Sequence, residues 1–507
     1  MLAPAITFAI HMDDRTEKQV GAIEVLLSSF VCSVTISIFS GQPLTIVGVT
    51  GPVSILTVIM YELADKMGYA FMPFYAMSQL WGCLFIVLLA VFNVCDTVKY
   101  ISDFACEIFG LLIGAIFFVE GVIGLSHSFT HDYKTRDGVH IERKLSDSLF
   151  EAIICIGTAY MSIFLNDVRK WNLFNGTVRN AVSDYCTTIV LIFWSLVAYL
   201  YIRGISEDGH RIPTLYLPDK FETTSGRGWF VDFSELSGES AMFAIIPGLI
   251  IAVLFYFDHN ISTRMARDKL FNLEKPAAYH LDMLWLGLLL IITGLLGLPP
   301  TNGMIPMSPL HSQSLEVKKK EEKEVDGEII VAQTTYTLEQ RWTNCCQGLL
   351  CGLGCLYPFT MALKQIPTSA LYGIFIFLGY ASFDENPLGF RLIYCLVQPD
   401  LREKYHNPQN AHWIETLGHD VIFKYTMLQF ICVLIILGLT FCPPYVSIAF
   451  PVLIMGLIYL RQYLNRAGFD DADLDMLDPI DAEGSEDAKL SLVPQEDIES
   501  IDLQHME

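Results

Sequence analysis

Apolar segments long enough to cross a bilayer recur along this chain, and that recurrence constrains its fold more than any other feature. A membrane span needs about 20 mainly apolar residues, because inside lipid every backbone polar group must be satisfied within the segment. Eleven such segments lie near 19–38, 73–94, 104–127, 147–165, 180–203, 241–263, 279–297, 343–365, 367–383, 421–441 and 444–463. Two more, around 43–62 and 298–315, are apolar but interrupted. Composition agrees: 52% of residues are hydrophobic and 17% charged, against roughly 25% charged in soluble domains. The expectation is an all-α polytopic membrane protein. Met1-Leu2-Ala3-Pro4 runs straight into Ile6, Thr7 and Phe8 without a basic signal-peptide region. The chain is therefore expected to open inside a span, with the start of that span lacking.

The formal net charge of −23 is unevenly placed, since residues 467–507 hold 14 acidic residues and one base, Lys489. This stretch is expected to be an acidic disordered tail. No basic footprint exists for nucleic acid, which is set aside as a partner. By the positive-inside rule the loops carrying Arg169, Lys170 and Arg179, then Arg264, Arg267, Lys269 and Lys275, then Lys318, Lys319, Lys320 and Lys323 are expected in the cytoplasm. The acidic stretch 204–240, with Glu207, Asp208, Asp219, Glu222, Asp232, Glu235 and Glu239, is expected on the other side. That alternation leaves the tail cytoplasmic.

The 13 cysteines lie mostly within apolar segments and lack paired metal spacing, so neither a disulfide framework nor a zinc site is expected. Cys345, Cys346, Cys351 and Cys355 read as helix-packing residues, with palmitoylation of Cys345 or Cys346 the alternative. The sequons at Asn175 and Asn260 are discounted by position. Without a nucleophile–base constellation, phosphate loop or metal spacing, the polar segments suggest no enzyme and no cofactor.

The informative residues are those that interrupt the apolar pattern. Gly41-Gln42-Pro43-Leu44-Thr45-Ile46-Val47-Gly48-Val49-Thr50-Gly51-Pro52-Val53-Ser54 cannot be one helix, because its prolines and glycines remove donors and favour extended backbone. The β-branched run Thr45 to Thr50 suits a short strand. Gly51-Pro52 then suits a new helix with Thr50 at its cap. Gly297 to Pro309 repeats this grammar: an extended stretch, Asn302-Gly303, then a short helix toward Leu315. Irregular backbone at membrane depth is tolerated where it lines a cavity, and paired broken helices point to a transporter site. Each half-helix would aim free N–H groups and a positive dipole end at the midplane. The plainer alternative is a pair of proline kinks in packed spans.

Intramembrane charges are costly, about 3 kcal/mol or more each, so those that persist are functional candidates. Asp258, following the apolar run Ile245 to Phe257, is the foremost. Glu120 and Glu62 are weaker candidates, and Asp13-Asp14-Arg15-Thr16-Glu17-Lys18 reads as a solvated turn.

Pro4-Ala5-Ile6-Thr7-Phe8, Gly41-Gln42-Pro43-Leu44, Gly48 and Gly51-Pro52 resemble the opening of the bicarbonate and anion-exchanger transporter family. Arg227-Gly228-Trp229, His280-Leu281-Asp282, Ile366-Pro367 and Leu371-Tyr372-Gly373-Ile374-Phe375 continue the resemblance in the same order, over about residues 3–465. It implies fourteen spans as two inverted seven-span repeats, the first span truncated here, with a core domain moving against a gate domain and a homodimer joined through the gates. On this chain the core would be 1–96 and 241–365, the gate 97–204 and 366–466, the extracellular loop 205–240 and the tail 467–507. Exchangers of the family commonly carry a basic residue at the position of Met307. Pro299 to His311, with Tyr256-Phe257-Asp258-His259, instead resembles the borate-exporter branch.

Boric acid is mostly neutral at cytoplasmic pH, so a site with two helix dipoles and no fixed cation would suit it. Thr50, Gly51, Pro52 and Val53 with Thr301, Asn302, Gly303 and Met304 are expected to line this site, and Asp258 to complete it and exchange a proton. The expected function is proton-linked export of borate across the plasma membrane. The alternatives are a carrier of bicarbonate or another inorganic anion, and a transport-inactive scaffold that uses the acidic tail.

Overall fold

The structure, a computed structural model, describes residues 2–130, 133–134, 140–141, 144–204, 212–267, 271–305, 307–325, 328–402, 417–464 and 468–478. Glu207, Asp208, Lys269 and residues 479–507 lie outside the described residues. Helices dominate: α1 (Leu2–Arg15), α2 (Ala22–Phe39), α3 (Gly51–Met67), α4 (Phe71–Val91), α5 (Asp103–Thr130), α6 (Leu145–Asn166), α7 (Gly176–Asp184) and α8 (Cys186–Gly204) form the first half. The second half holds α9 (Gly238–Phe243), α10 (Ile245–Ala266), α11 (Tyr279–Leu296), α12 (Met307–Ser314), α13 (Trp342–Leu353), α14 (Phe359–Leu363), α15 (Thr368–Asp384) and α16 (Pro387–Leu396), then helices His419–Thr440 and Phe450–Tyr463. Among the described residues, 8 helices are long and apolar enough to cross a membrane, and the bent pair α7 and α8 makes a ninth.

The outer faces of these helices are apolar as well. Ile153, Ile156 and Tyr160 of α6 and Ile192, Leu196 and Leu200 of α8 are exposed, as expected of a helix solvated by lipid rather than water. Helix pairs approach closely where small residues meet. A Cβ on Gly379 of α15 would lie 2.7 Å from the Gly114 carbonyl of α5, so these two backbones are in direct contact.

Several segments depart from the sequence reading. The stretch 180–203 is not one helix: α7 and α8 meet at a bend of 64°. Asn175 caps α7 by accepting from Val178 N at 2.9 Å. The stretch 343–365 is likewise divided into α13 and α14, because Gly354 and Pro358 interrupt it. Helix α1 continues through Asp13, Asp14 and Arg15, so the first half of that run is helical, while Thr16, Glu17 and Lys18 form the expected turn. The Lys318–Lys323 stretch lies in an antiparallel hairpin of Glu316–Val325 with Glu328–Thr337.

The start of the acidic tail is also ordered, against expectation. A helix Asp471–Leu477 buries Leu474 and Leu477, and Asp478 is fully enclosed. Asp478 accepts from Phe104 N at 3.2 Å and pairs with Arg461. An acid can leave water when it caps a helix start and neutralises a buried guanidinium.

Two arginines on opposite ends of the molecule fix the helices that lead into the broken segments. Arg341 donates to Ser37 O at 2.9 Å and Ser40 O at 2.8 Å, at the end of α2. Arg227 donates to Leu296 O at 3.0 Å and Gly297 O at 2.9 Å, at the end of α11. Terminal carbonyls without a helical partner are satisfied in both places, and by a charge of the sign that the helix dipole favours.

Candidate functional site

The broken segments meet at the centre of the molecule. Val47–Gly48 pairs antiparallel with Asn302–Gly303, Val47 opposite Gly303 and Gly48 opposite Asn302. Met304 N donates to Ile46 O at 2.8 Å. From this short ladder the chain enters α3 on one side and α12 on the other. The strand is two residues, shorter than the run Thr45 to Thr50 suggests, because only here do both backbones lie side by side.

Extended backbone buried in this way needs partners for its polar groups, and neighbouring helices supply them. Asn344 Nδ2 donates to Pro43 O at 3.1 Å and Thr45 O at 2.9 Å. Ser33 Oγ donates to Val47 O at 2.6 Å, and Ser308 Oγ accepts from Ile46 N at 3.1 Å. Around the second segment, Gln79 Nε2 donates to Leu298 O at 3.0 Å and Ser28 Oγ to Pro299 O at 2.5 Å. Asp282 Oδ1 accepts from Gly41 N at 2.6 Å. Sequence reasoning missed Ser28, Ser33, Gln79, Asn344 and Ser308. A lone polar residue in an apolar helix was the available signal, but it does not reveal which distant carbonyl it serves.

Asp258 joins the two segments. Its Oδ2 accepts from Thr50 Oγ1 at 3.1 Å and from Asn302 Nδ2 at 3.2 Å, and the side chain is 1% exposed. Thr50 stands at the cap position of α3 yet makes no side-chain cap bond, since its hydroxyl is turned to Asp258. The first N–H groups of a helix lack intrahelical partners. At α3 these belong to Gly51 and Val53, Pro52 having none.

All nine expected site residues are buried. The structure brings Asp258, Thr50 and Asn302 into direct contact. Gly51 lies beneath the Phe117 ring of α5, where a Cβ would meet ring carbons at 2.4 Å. Gly303 abuts Ser262 and His259 of α10, with Nδ1 of His259 3.0 Å from where a Cβ would stand. Asn302 Oδ1 also accepts from Gly303 N at 2.9 Å. The carbonyls of Val53 and Met304 are taken up locally: Val53 O accepts from Thr57 Oγ1 at 2.9 Å, and Met304 O from Ser308 Oγ at 2.9 Å. Thr301 is 3% exposed and its Oγ1 has no hydrogen-bond partner. Met307 begins α12, half-buried and uncharged.

Residues 258–263 of α10 are unusually polar for a buried turn and a half. Asp258, His259, Asn260, Ser262 and Thr263 are each at most 1% exposed. Both amide atoms of Asn260 and Nδ1 of His259 lack partners. Asn260, whose sequon is discounted by position, is fully buried within α10. Among the described residues, no group of three or more His, Cys, Asp or Glu could hold a metal ion. Glu62 on α3 is half-buried and bears no bond to this centre.

The chain matches the family described as "HCO3- transporter integral membrane domain" over residues 1–145 and 131–482. It is 32% identical over 486 residues to the Schizosaccharomyces pombe protein described as "Putative transporter C543.05c", covering 94% of this chain and 88% of that one. To Boron transporter 1 of Saccharomyces cerevisiae it is 30% identical over 404 residues, covering 79% of this chain and 67% of that one. Its fold is shared with the transmembrane domain of the cyanobacterial bicarbonate transporter BicA, at TM-score 0.54 and 14% identity, covering 85% of this chain and 94% of that one.

Proposed function

The chain belongs to the family of HCO3- transporter integral membrane domains, and from that membership in a class of anion transporters we propose that it exports boric acid or borate. The single observation that carries the choice of ligand is the Asp258 centre. It joins both broken segments, and none of the residues at it carries a fixed cation. Helix N–H groups attract an oxygen acceptor without requiring a full charge, while the carboxylate of Asp258 can accept from a hydroxyl. A ligand rich in hydroxyls and mostly neutral uses both. Similarity to Boron transporter 1 supports the same reading.

In the proposed mechanism α1–α4 and α10–α14 carry the site as one body and slide, elevator-like, against α5–α8, α15, α16 and the last two spans. Asp258 takes up a proton on one side and releases it on the other, which links export to the proton gradient. A homodimer joined through the second body, in the plasma membrane and with the tail in the cytoplasm, completes the proposal.

Purified protein in vesicles, offered boric acid and labelled bicarbonate in parallel, tests it. Boric acid flux that depends on Asp258 supports the reading. Bicarbonate flux without boric acid flux would instead favour an inorganic-anion carrier, the second reading that the family description suggests. Absence of any flux would return the scaffold alternative.

A further inference from the structure

Directly above the site, on the way to the end of the molecule that carries residues 212–236, α1 is fastened to α5 and α15 in two layers. The lower layer is aromatic. Phe8 of α1, Phe117 of α5 and Phe375 of α15 meet with ring centroids 5.4, 5.8 and 5.7 Å apart, and Phe117 rests on Gly51. The upper layer is polar. Glu120 lies 3.5 Å from His11 Nε2 and 3.7 Å from Arg15. Asp14 Oδ2 accepts from the Tyr372 hydroxyl at 2.6 Å.

The register is that of helices. His11 and Glu120 each stand one turn beyond the phenylalanine of their own helix, and Tyr372 stands one turn before Phe375 on antiparallel α15. The direction is fixed too, because α15 begins at Thr368, whose N–H donates to Pro213 O at 3.0 Å. Side-chain exposure grows along this line, from 1% at Asp258 through 8% at His11 and 16% at Glu120 to 39% at Arg15. Tyr372 is seated for its contact. A Cβ on Gly124 of α5 would lie 2.3 Å from its ring, so only a glycine there admits it. His11 also bonds Ser54 at 2.7 Å, one turn into α3, which ties the fastening to the half-helix that heads the site.

We propose that this double layer is the closure of the transport site toward the face carrying residues 212–236: the Phe8–Phe117–Phe375 contact excludes water and ligand, and the Glu120 and Asp14 contacts are the latch that holds it shut. Opening that face requires α1 to part from α5 and α15, which breaks both latch contacts together. The proposal rests on the transporter reading, in which α1 and α3 move against α5 and α15.

The test uses the full chain in vesicles of known orientation, with boric acid as ligand, and compares Glu120→Gln, Tyr372→Phe and their combination with the parent. Loosening the latch raises the population open to the 212–236 face. The apparent KM on that face should then fall by roughly fivefold for a lost hydrogen bond, while KM on the opposite face rises; Glu120→Asp should restore the parent values in part. Hydrogen exchange in α1 and the first turns of α3 should quicken in the same variants, and this readout needs no transport. Exchange that stays at the parent rate in both Tyr372→Phe and Glu120→Gln would overturn the closure. So would equal changes in KM on the two faces, which would make these residues merely structural. If the parent moves no boric acid, the functional reading fails and exchange alone decides the latch.

Discussion

Thr50 donates its hydroxyl to Asp258 at 3.1 Å, across 208 positions of chain, and does not cap the helix that it begins. A threonine at a helix start ordinarily closes one of the open N–H groups. Here that closure is given up, and the buried carboxylate gains a donor from the first broken segment to match Asn302 from the second.

Removing the acid should therefore disable transport while sparing the fold. Asp258→Asn keeps the shape and replaces an acceptor by an amide, and is expected to lower boric acid flux by at least tenfold. Thermal unfolding in detergent should show little change, because burying a carboxylate is itself costly. Flux equal to the parent, at every pH gradient imposed, would remove Asp258 from the mechanism.

Gly51 tests the packing of the site against α5. A methyl group at this position meets Phe117 at 2.4 Å, so Gly51→Ala should reduce flux sharply by forcing the ring or the half-helix aside. Phe117→Leu in the same chain supplies space and is expected to recover part of the loss. If the single variant transports normally, the contact is not tight during the cycle.

Met307 offers a gain-of-function test. A cation at the start of α12 would stand close to a site that otherwise holds only helix dipoles and one acid. Met307→Arg is expected to shift selectivity from boric acid toward bicarbonate, read as the ratio of the two fluxes in one preparation. An unchanged ratio would mean that this position does not face the ligand.

The clamp at the end of the described chain carries a stability prediction. Arg461 and Asp478 are 7% and 0% exposed in their side chains, and breaking a buried pair by removing one partner costs about 3–5 kcal/mol. Asp478→Ala should lower Tm by several degrees, and Arg461→Met with Asp478→Leu should recover much of that loss. Arg391 with Glu107, 2% and 8% exposed, should respond in the same way.

The broken segments were legible because proline and glycine act locally. Gly51-Pro52 favours a helix start, and Asn302-Gly303 disfavours continuing one, through their own backbone preferences. Asp258 was legible because a charge inside an apolar run is costly anywhere. What remained hidden was partnership. Gln79, Asn344, Ser28 and Ser33 look like ordinary minor residues of apolar helices, yet each satisfies a carbonyl of a broken segment. Asp14 read as part of a solvated turn, since nothing local to it announces Tyr372.

The acidic tail shows the same limit from the other side. Charge density alone assigned all of 467–507 to disorder, and composition cannot tell that Asp478 finds a buried Arg461 and the open start of α5. The amino-acid sequence by itself determined the membrane class, the two interruptions and the buried acid, because hydropathy, proline and charge exert their effects within a few residues. Only the tertiary structure decided that Val47–Gly48 lies against Asn302–Gly303, that Thr50 and Asn302 converge on Asp258, and that α1 is latched to α5 and α15. Those are long-range hydrogen bonds, and their partners are selected by how the helices pack.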